Sequence, residues 1–478
     1  MSMRKHYMQT SSSDLPPLEK QLWHPMSAAL KVGVAQRTIN PPIGIRAASW
    51  GAAKSSVATG IHRDITTTAM AVLDDMGGSP LYLVTIDWGW WQGVADDLAV
   101  RGKVIEGLGI AEDSLQLHLT HTHAGPNTAS DVGELEGGDL VAPYHRFATT
   151  SIIDACKEAR DKATDAEITW AYGKCDLAVN RELPCGEVDI VGFNPGESAD
   201  DTLTLGRISD KSGRIIGTIV NYACHPTTLA WQNTDISPDF VGSARELVEK
   251  RTGVPMLFLQ GASGDLAPRD GFVGDHEVAD KNGRILGFAT LAMLEKMIPS
   301  GKALRFARRV ESGAVLGEWE EFAIDAPKDI EVIRLDIDVP LQDLPTIEEL
   351  EARWVDLDPI ARQTRITRAR KLRTGYILEN QSAKHPVWIW MWGDAVIVGQ
   401  PGEAYSYFQM ELRRRHPERV ILVLNCTNGP GYMYLPTPDS YRRRRYQSWQ
   451  TLLAEGALEL ITDEVSAAIS RLPRIKKA

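Results

Sequence analysis

The sequence is poor in cysteine and holds no CxxC pair: Cys156, Cys175, Cys185, Cys224 and Cys426 are an odd, scattered set of five. That excludes a disulfide framework and fits a reducing compartment. No apolar run approaches the roughly 18 residues that span a bilayer, so stable membrane insertion is not expected. Positive charge is in deficit, with 52 Lys plus Arg against 63 Asp plus Glu and a formal net charge of −11. Nucleic acid and anionic membranes both need a basic footprint, so no nucleic-acid partner is expected. Repeats and low-complexity linkers are missing as well. The N-terminus, MSMRKHYMQTSSSDLPPLEKQLWHP, follows its early basic residues with no apolar h-region. No secretory signal is therefore read, and a cytoplasmic location is expected.

What is present has ordinary globular composition, 43% hydrophobic and 24% charged over 478 residues. Such a length suits one large enzyme domain or a few smaller ones. Residues 1–29 read as a polar N-terminal arm and 30–478 as a single large domain. LYLVTIDW (81–88), LQLHLTHT (115–122), IIGTIVNYAC (215–224), PMLFLQG (255–261) and VILVLNC (420–426) read as buried strands. VWIWMWGDAVIVGQ (387–400) reads as a strand pair turning at Gly393-Asp394. Helical patterns cover 145–162, 241–252, 277–298 and 346–374. The fold class is therefore α/β, with mixed β-sheets and surrounding helices. The charged stretch from Ala361 to Arg373 reads as an inserted surface helix with a solvated face.

Several apolar runs end in residues that bind metals or move protons. LQLHLT leads to His121 and His123, TIVNYAC to His225, AVIVGQ to Glu403, and VILVLNCTNGPGYM to Tyr434. In open α/β sheets ligands sit beyond the carboxyl ends of strands, so such residues can converge. In an extended segment residues i and i+2 face one side about 6.6–6.8 Å apart, so His121 and His123 can enter one pocket. Neutral imidazole suits zinc. The plain alternative is one hydrogen-bonded core histidine and one exposed. His225 alone reads as a core histidine, and Glu403 as a helix-dipole carboxylate. Trp88, Trp90 and Trp91 read first as core packing.

Taken together, these segments resemble the neutral/alkaline (non-lysosomal) ceramidases. The likeness is carried, in order, by LTHTHAGP, NYACHPTTL, LQGASGDLAP, GQPGEAYS and the Tyr434–Tyr441 segment with Tyr446 beyond it. GVAQRTINPPIG and the TGIH…LYLVTIDW region add to it, so the resemblance runs from about Lys31 to Leu472. It implies a catalytic domain with one zinc ion held by His121, His225, Glu403 and Tyr434. His123 and Tyr446 would meet the substrate carbonyl and its tetrahedral intermediate, and Arg181 would line the site. A phenol of pKa about 10 can serve as a ligand because the cation favours its phenolate. Asp87 and Asp265 are candidates for orienting a histidine, with helix capping the alternative for Asp265.

Three departures modify that expectation. Gly264-Asp265-Leu266-Ala267-Pro268 carries Ala where the family has a Ser. Ala267 cannot act as a nucleophile, so water activated by zinc has to. The sequence ends without the family's C-terminal immunoglobulin-like domain, and no exposed apolar helix is read. Ceramide itself is thus not the expected substrate. Most of the Arg442–Arg445 run reads as solvated, with one or two members available to an anionic group. The expected function is zinc-dependent hydrolysis of an amide bond in a soluble small molecule, by a chain for which a homo-oligomer is compatible. The alternatives are hydrolysis of an ester, lactone or glycosidic bond, or a non-catalytic metal-stabilised binding protein.

Overall fold

Alternate residues along the strands belong to different apolar cores, and this period of two builds the molecule in layers. The computed structural model describes residues 21–47, 49–73, 78–187, 189–357, 359–376, 382–430 and 434–473. An eight-stranded sheet has the order Met256–Gln260, Ile215–Tyr222, Thr202–Asp210, Thr164–Lys174, Met26–Thr38, Thr66–Leu73, Leu81–Ile86, Leu115–Leu119. A four-stranded sheet has the order Ile330–Pro340, Ser382–Trp392, Ala395–Gly399, Val420–Leu424. Ile208, Ile219, Leu257 and Leu83 of the large sheet pack against Trp390, Ile397 and Leu422 of the small one. Their sequence neighbours point the other way. Leu205, Val220 and Phe258 meet the helices Phe240–Thr252 and His276–Lys296, while Val84 and Leu117 meet the helix Val141–Asp161. Val398 and Val423 of the small sheet face the helices Tyr407–Arg415 and Ala457–Ser470. The architecture is thus helix, sheet, sheet, helix: a mixed α/β fold, as its sequence pattern implied.

The chain is already paired as strand at Leu22–Trp23 and again from Met26, so the arm expected over 1–29 is shorter than read. Residues 1–20 lie outside the described residues. The charged 346–374 stretch forms two helices, Ile347–Arg353 and Pro359–Tyr376. The second is not merely a solvated face. Ile366, Ala369 and Leu372 are buried on it.

Helix Val141–Asp161 approaches the sheet closely because Gly33 has no side chain. A Cβ there would lie 2.0 Å from the Ala159 carbonyl oxygen and 2.8 Å from the Ala163 nitrogen. Both are backbone atoms that cannot rotate away. Gly33→Ala is therefore expected to destabilise by about 3 kcal/mol, the upper end for an over-packed core. The check is a lower urea midpoint at unchanged slope.

The large sheet nearly closes on itself. His118, on one edge strand, accepts the Gln260 N–H of the other edge strand at Nε2, 2.8 Å away. Its Nδ1 must then carry the hydrogen shared with Thr427 Oγ1 at 3.0 Å. Burial pulls the His118 pKa to about 3, which keeps this neutral tautomer in place. The segment after Val420–Leu424 threads the gap. Asn425 N–H donates to Gln260 O, Leu119 N–H donates to Cys426 O, and Asn428 N–H donates to Leu117 O. Strand ends far apart in the sheet order are thereby brought to one place.

Candidate metal centre

Four side chains meet beyond those strand ends. His121 follows the strand Leu115–Leu119, His225 the strand Ile215–Tyr222, and Glu403 the strand Ala395–Gly399. Tyr434 lies beyond the strand Val420–Leu424 and pairs in parallel register with Glu403. His121 Nε2 and His225 Nε2 are 3.0 Å apart. Glu403 Oε2 is 3.3 Å from the first and 3.2 Å from the second.

The hydrogen bonds behind the rings determine what those atoms can do. His121 Nδ1 lies 2.9 Å from Gly89 O, and His225 Nδ1 lies 2.8 Å from Ser263 O. A carbonyl only accepts, so each Nδ1 carries the hydrogen and each Nε2 presents a lone pair. Two lone pairs and a carboxylate oxygen thus face one another, and Glu403 Oε2 has no aligned donor. Three buried acceptors at this spacing repel unless a cation lies between them. The donor set fits a metal ion of the zinc type, for which nitrogen and carboxylate ligands are usual.

The electrostatics agree. Desolvation opposes charge on His121, yet Cys426 and Glu403 hold its pKa well above 6.5. Desolvation also opposes charge on Glu403, but His121 and His225 hold its pKa well below 4.5. His225 is drawn down to about 3 by burial and by Arg181. Without a metal, one proton on His121 supplies the positive charge the cluster requires. Burial, then the Glu403 carboxylate, push the Tyr434 phenol well above 10, opposed by Arg181. A phenol so placed ionises only beside a cation.

The histidine pair converges by a different route from the one expected. The strand stops at Leu119, and His121 has φ 72°, the left-handed region that non-glycine residues rarely adopt. The rings of His121 and His123 nevertheless approach to 5.0 Å between centroids. Ligand atoms of His121, His123 and His225 all lie within 4.8 Å of one another. His123 differs from its neighbours, since its ring has no hydrogen-bond partner among the described residues and its Nε2 is buried. Burial and then the adjacent His121 and His225 hold its pKa well below 6.5.

Arg181 is buried and spends its donors on structure. Nε and Nη2 donate to Gly264 O at 3.1 and 2.7 Å, and Nη2 also donates to Tyr434 OH at 3.3 Å. It therefore fixes Tyr434 to the 261–265 loop. Gly264 is needed there, because a Cβ would lie 2.7 Å from Glu403 O. The Tyr446 ring sits against that of Tyr434 at 5.9 Å.

Other expectations are corrected. Among the described residues the Asp265 carboxylate bonds to no histidine; it accepts from Ser406 N and Oγ at 2.7 and 2.6 Å, just before the helix Tyr407–Arg415. Asp87 pairs with Arg245 at 2.8 Å and accepts from Thr66 N and Thr120 Oγ1. Trp88, Trp91 and Trp90 are core residues as read, and the Trp90 ring also lies against His123 at 4.7 Å. Of the arginine run, Arg442 and Arg444 are exposed as read, while the other two are held by acids. Arg445 pairs with Glu182 at 3.0 Å and Asp189 at 2.8 Å, and Arg443 also pairs with Asp189. Sequence reasoning missed the Gly89 and Ser263 carbonyls, and Trp50, whose ring is 5.3 Å from His123. The glycine closing DWG was the only signal for the first.

Glu182 adds a pH-sensitive group beside Arg181. Burial raises its pKa to about 7, although the Tyr405 hydroxyl donates to it. The folded chain thus holds this proton more tightly than the unfolded one, whose carboxyl pKa is near 4.3. The resulting stability is complete below about pH 4.3 and is lost as pH rises through 7. Glu182→Gln is expected to flatten the fall in Tm between pH 5 and pH 8, measured by circular dichroism.

Comparisons with known proteins point the same way. The model of the neutral/alkaline non-lysosomal ceramidase N-terminal region matches residues 31–273. The neutral ceramidase of Pseudomonas aeruginosa is 26% identical over 219 residues, which is 44% of this chain and 32% of that protein. That of Drosophila melanogaster is 27% identical over 240 residues, 47% of this chain and 33% of that protein. Each alignment thus spans about a third of the relative's own length. The crystal structure of the Pseudomonas aeruginosa neutral ceramidase superposes with a TM-score of 0.65 at 16% identity, covering 94% of this chain and 76% of that one. At that identity the superposition speaks for the fold.

Proposed function

The chain belongs to the neutral/alkaline non-lysosomal ceramidase family, and we propose that it is a zinc-dependent hydrolase cleaving the amide bond of a small-molecule acyl substrate. The relatives are named for an amide-bonded lipid. The observation that carries the reading is the buried cluster of two imidazole lone pairs and one carboxylate oxygen, 3.0–3.3 Å apart. His121, His225, Glu403 and Tyr434 would hold the ion. Once bound, zinc supplies a Lewis acid for the carbonyl and lowers the pKa of water toward about 7.

The chain's own groups do the rest. Arg181 holds Tyr434 in register, and the Gly89 and Ser263 carbonyls hold the two ligand rings in one tautomer. His123, kept neutral by burial, and Tyr446 offer N–H and O–H donors to the carbonyl oxygen as charge develops on it. His123 also passes the proton given up by attacking water to the leaving nitrogen, so that OH adds to the acyl carbon and H to the amine. Trp50 and Trp90, packed on His123, limit the water that reaches it. Ala267 offers no nucleophile, and the mechanism needs none from it.

The test is metal analysis followed by chelation. One zinc per chain, amine release from an N-acyl amide, loss with a chelator and recovery with added zinc are expected. The panel sets soluble N-acyl amides beside ceramide in micelles, with an ester and a lactone as controls. No amine release from any amide by the zinc-loaded protein overturns the reading.

A further inference from the structure

Next to Tyr446 lies a cavity of 660 Å³, walled by the two helices of the 347–376 segment and the turn into the helix Tyr446–Gln450. That is the size of a small-molecule site. Its lining is unusual for a chain of net charge −11: five arginines and a single carboxylate, Asp343. Arg373 is committed, donating to Ala369 O and Pro345 O. Arg353, Arg365 and Arg444 form no ion pair with any carboxylate among the described residues. Elsewhere on this surface, arginines commonly pair with acids.

Arg365 is the most built of these groups. Its guanidinium lies 4.9 Å from the Trp449 ring centroid and 5.7 Å from that of Trp354. Stacking occupies the guanidinium faces and fixes its plane, leaving the N–H edge for an oxygen pair. Packed rings link its wall to the metal centre. Trp449 packs edge-on to Tyr446 at 5.2 Å, and Tyr446 packs on Tyr434 at 5.9 Å.

We propose that this cavity binds an anionic oxyacid group of the substrate, a carboxylate, phosphate or sulfonate, through Arg365 with Arg353 and Arg444. The inference rests on the hydrolase reading and narrows it: the acyl amide cleaved here carries a negative charge on one of its ends. Two oxygens of one oxyacid group match the guanidinium fork in two hydrogen bonds, which a neutral amide cannot reproduce. The Trp354 and Trp449 indoles cover the apolar carbons beside it.

The experiment has a binding arm and a turnover arm, both on the full chain. Calorimetric titration of chelator-treated protein uses phenylphosphonate, with benzamide as the neutral counterpart. Phenylphosphonate is expected to bind at least tenfold more tightly, and to weaken as salt is raised. Arg365→Gln and, separately, Arg444→Gln are each expected to lose at least tenfold, with Arg365→Lys between. Circular dichroism identifies any variant that fails to fold, and the other then decides. In turnover by zinc-loaded protein, butanoylglycine and the 4-nitroanilide of succinic acid place the charge on the amine and acyl sides. Each is compared with its carboxamide, and at least one charged member is expected to show a tenfold higher kcat/KM, through KM. Equal binding of the two probes, unchanged binding in both glutamine variants, or equal kcat/KM within both pairs overturns the proposal. Failure of the hydrolase reading shows differently, as anion binding intact while no amide of either charge is cleaved.

Discussion

His121→Ala is expected to empty the site of metal, with bound zinc falling below one-tenth of stoichiometry and kcat/KM falling about 10³-fold or more. The size of the effect follows from the chemistry lost. Water at neutral pH is a poor nucleophile unless its pKa is brought from 15.7 toward about 7, and that shift needs the ion in place. His121 is central because its Nε2 is 3.0 Å from one partner and 3.3 Å from another. Its removal leaves His225 and Glu403 with too few donors, and Glu403 without the neighbour that most favours its charge. Metal analysis and steady-state kinetics on the folded variant supply the check. Stoichiometric zinc after this change would remove the assignment of His121 as a ligand.

His123→Ala carries the second largest effect and separates two roles for a histidine so near the others. As a donor to the developing oxyanion, it is worth about 2.7–4 kcal/mol, or about 10²–10³ in kcat, with zinc content unchanged. As a third imidazole ligand, it would take the metal with it. We propose the first role. His121 and His225 each have a backbone carbonyl behind Nδ1, the arrangement typical of metal ligands. His123 has none among the described residues and is wedged between Trp50 and Trp90 instead. Full zinc with a hundredfold lower kcat supports the donor role, and loss of zinc refutes it.

Much of the fold could be read directly. Most short apolar runs became strands whose ends differ by up to three residues from the reading, because strands buried on both faces advertise themselves as uninterrupted apolar stretches. Leu115–Leu119, Ile215–Tyr222 and Val420–Leu424 are examples. Their order in the sheets could not be read, since pairing depends on contacts hundreds of residues apart. Nothing local to LQLHLT says that His118 would bond to Gln260, or that the 425–428 segment would lie between two sheet edges.

The site was legible in a different way. His121, His225, Glu403 and Tyr434 were identified through resemblance, and the structure brings all four together. Spacing alone would have misled, because the alternation argument for His121 and His123 assumes extended backbone and His121 has φ 72°. Arg181 could be named but not given its task, which depends on where the Gly264 carbonyl sits. The arginine-rich helix was read as solvated because a charge run shows no stacking partners. Trp354 and Trp449 are supplied by other parts of the chain.

The near-closure of the large sheet has a consequence for refolding. His121 follows one border strand of this sheet, His225 follows the strand next to the other border, and the two borders are joined by a histidine rivet and an inserted segment. Pairings of such long sequence separation form slowly and late. On the proposed reading, a metal ion would have nothing to grip until the last seam is sewn, and would act on the finished molecule by mass action rather than as a nucleus. Added metal then slows unfolding while leaving the rate of refolding almost untouched.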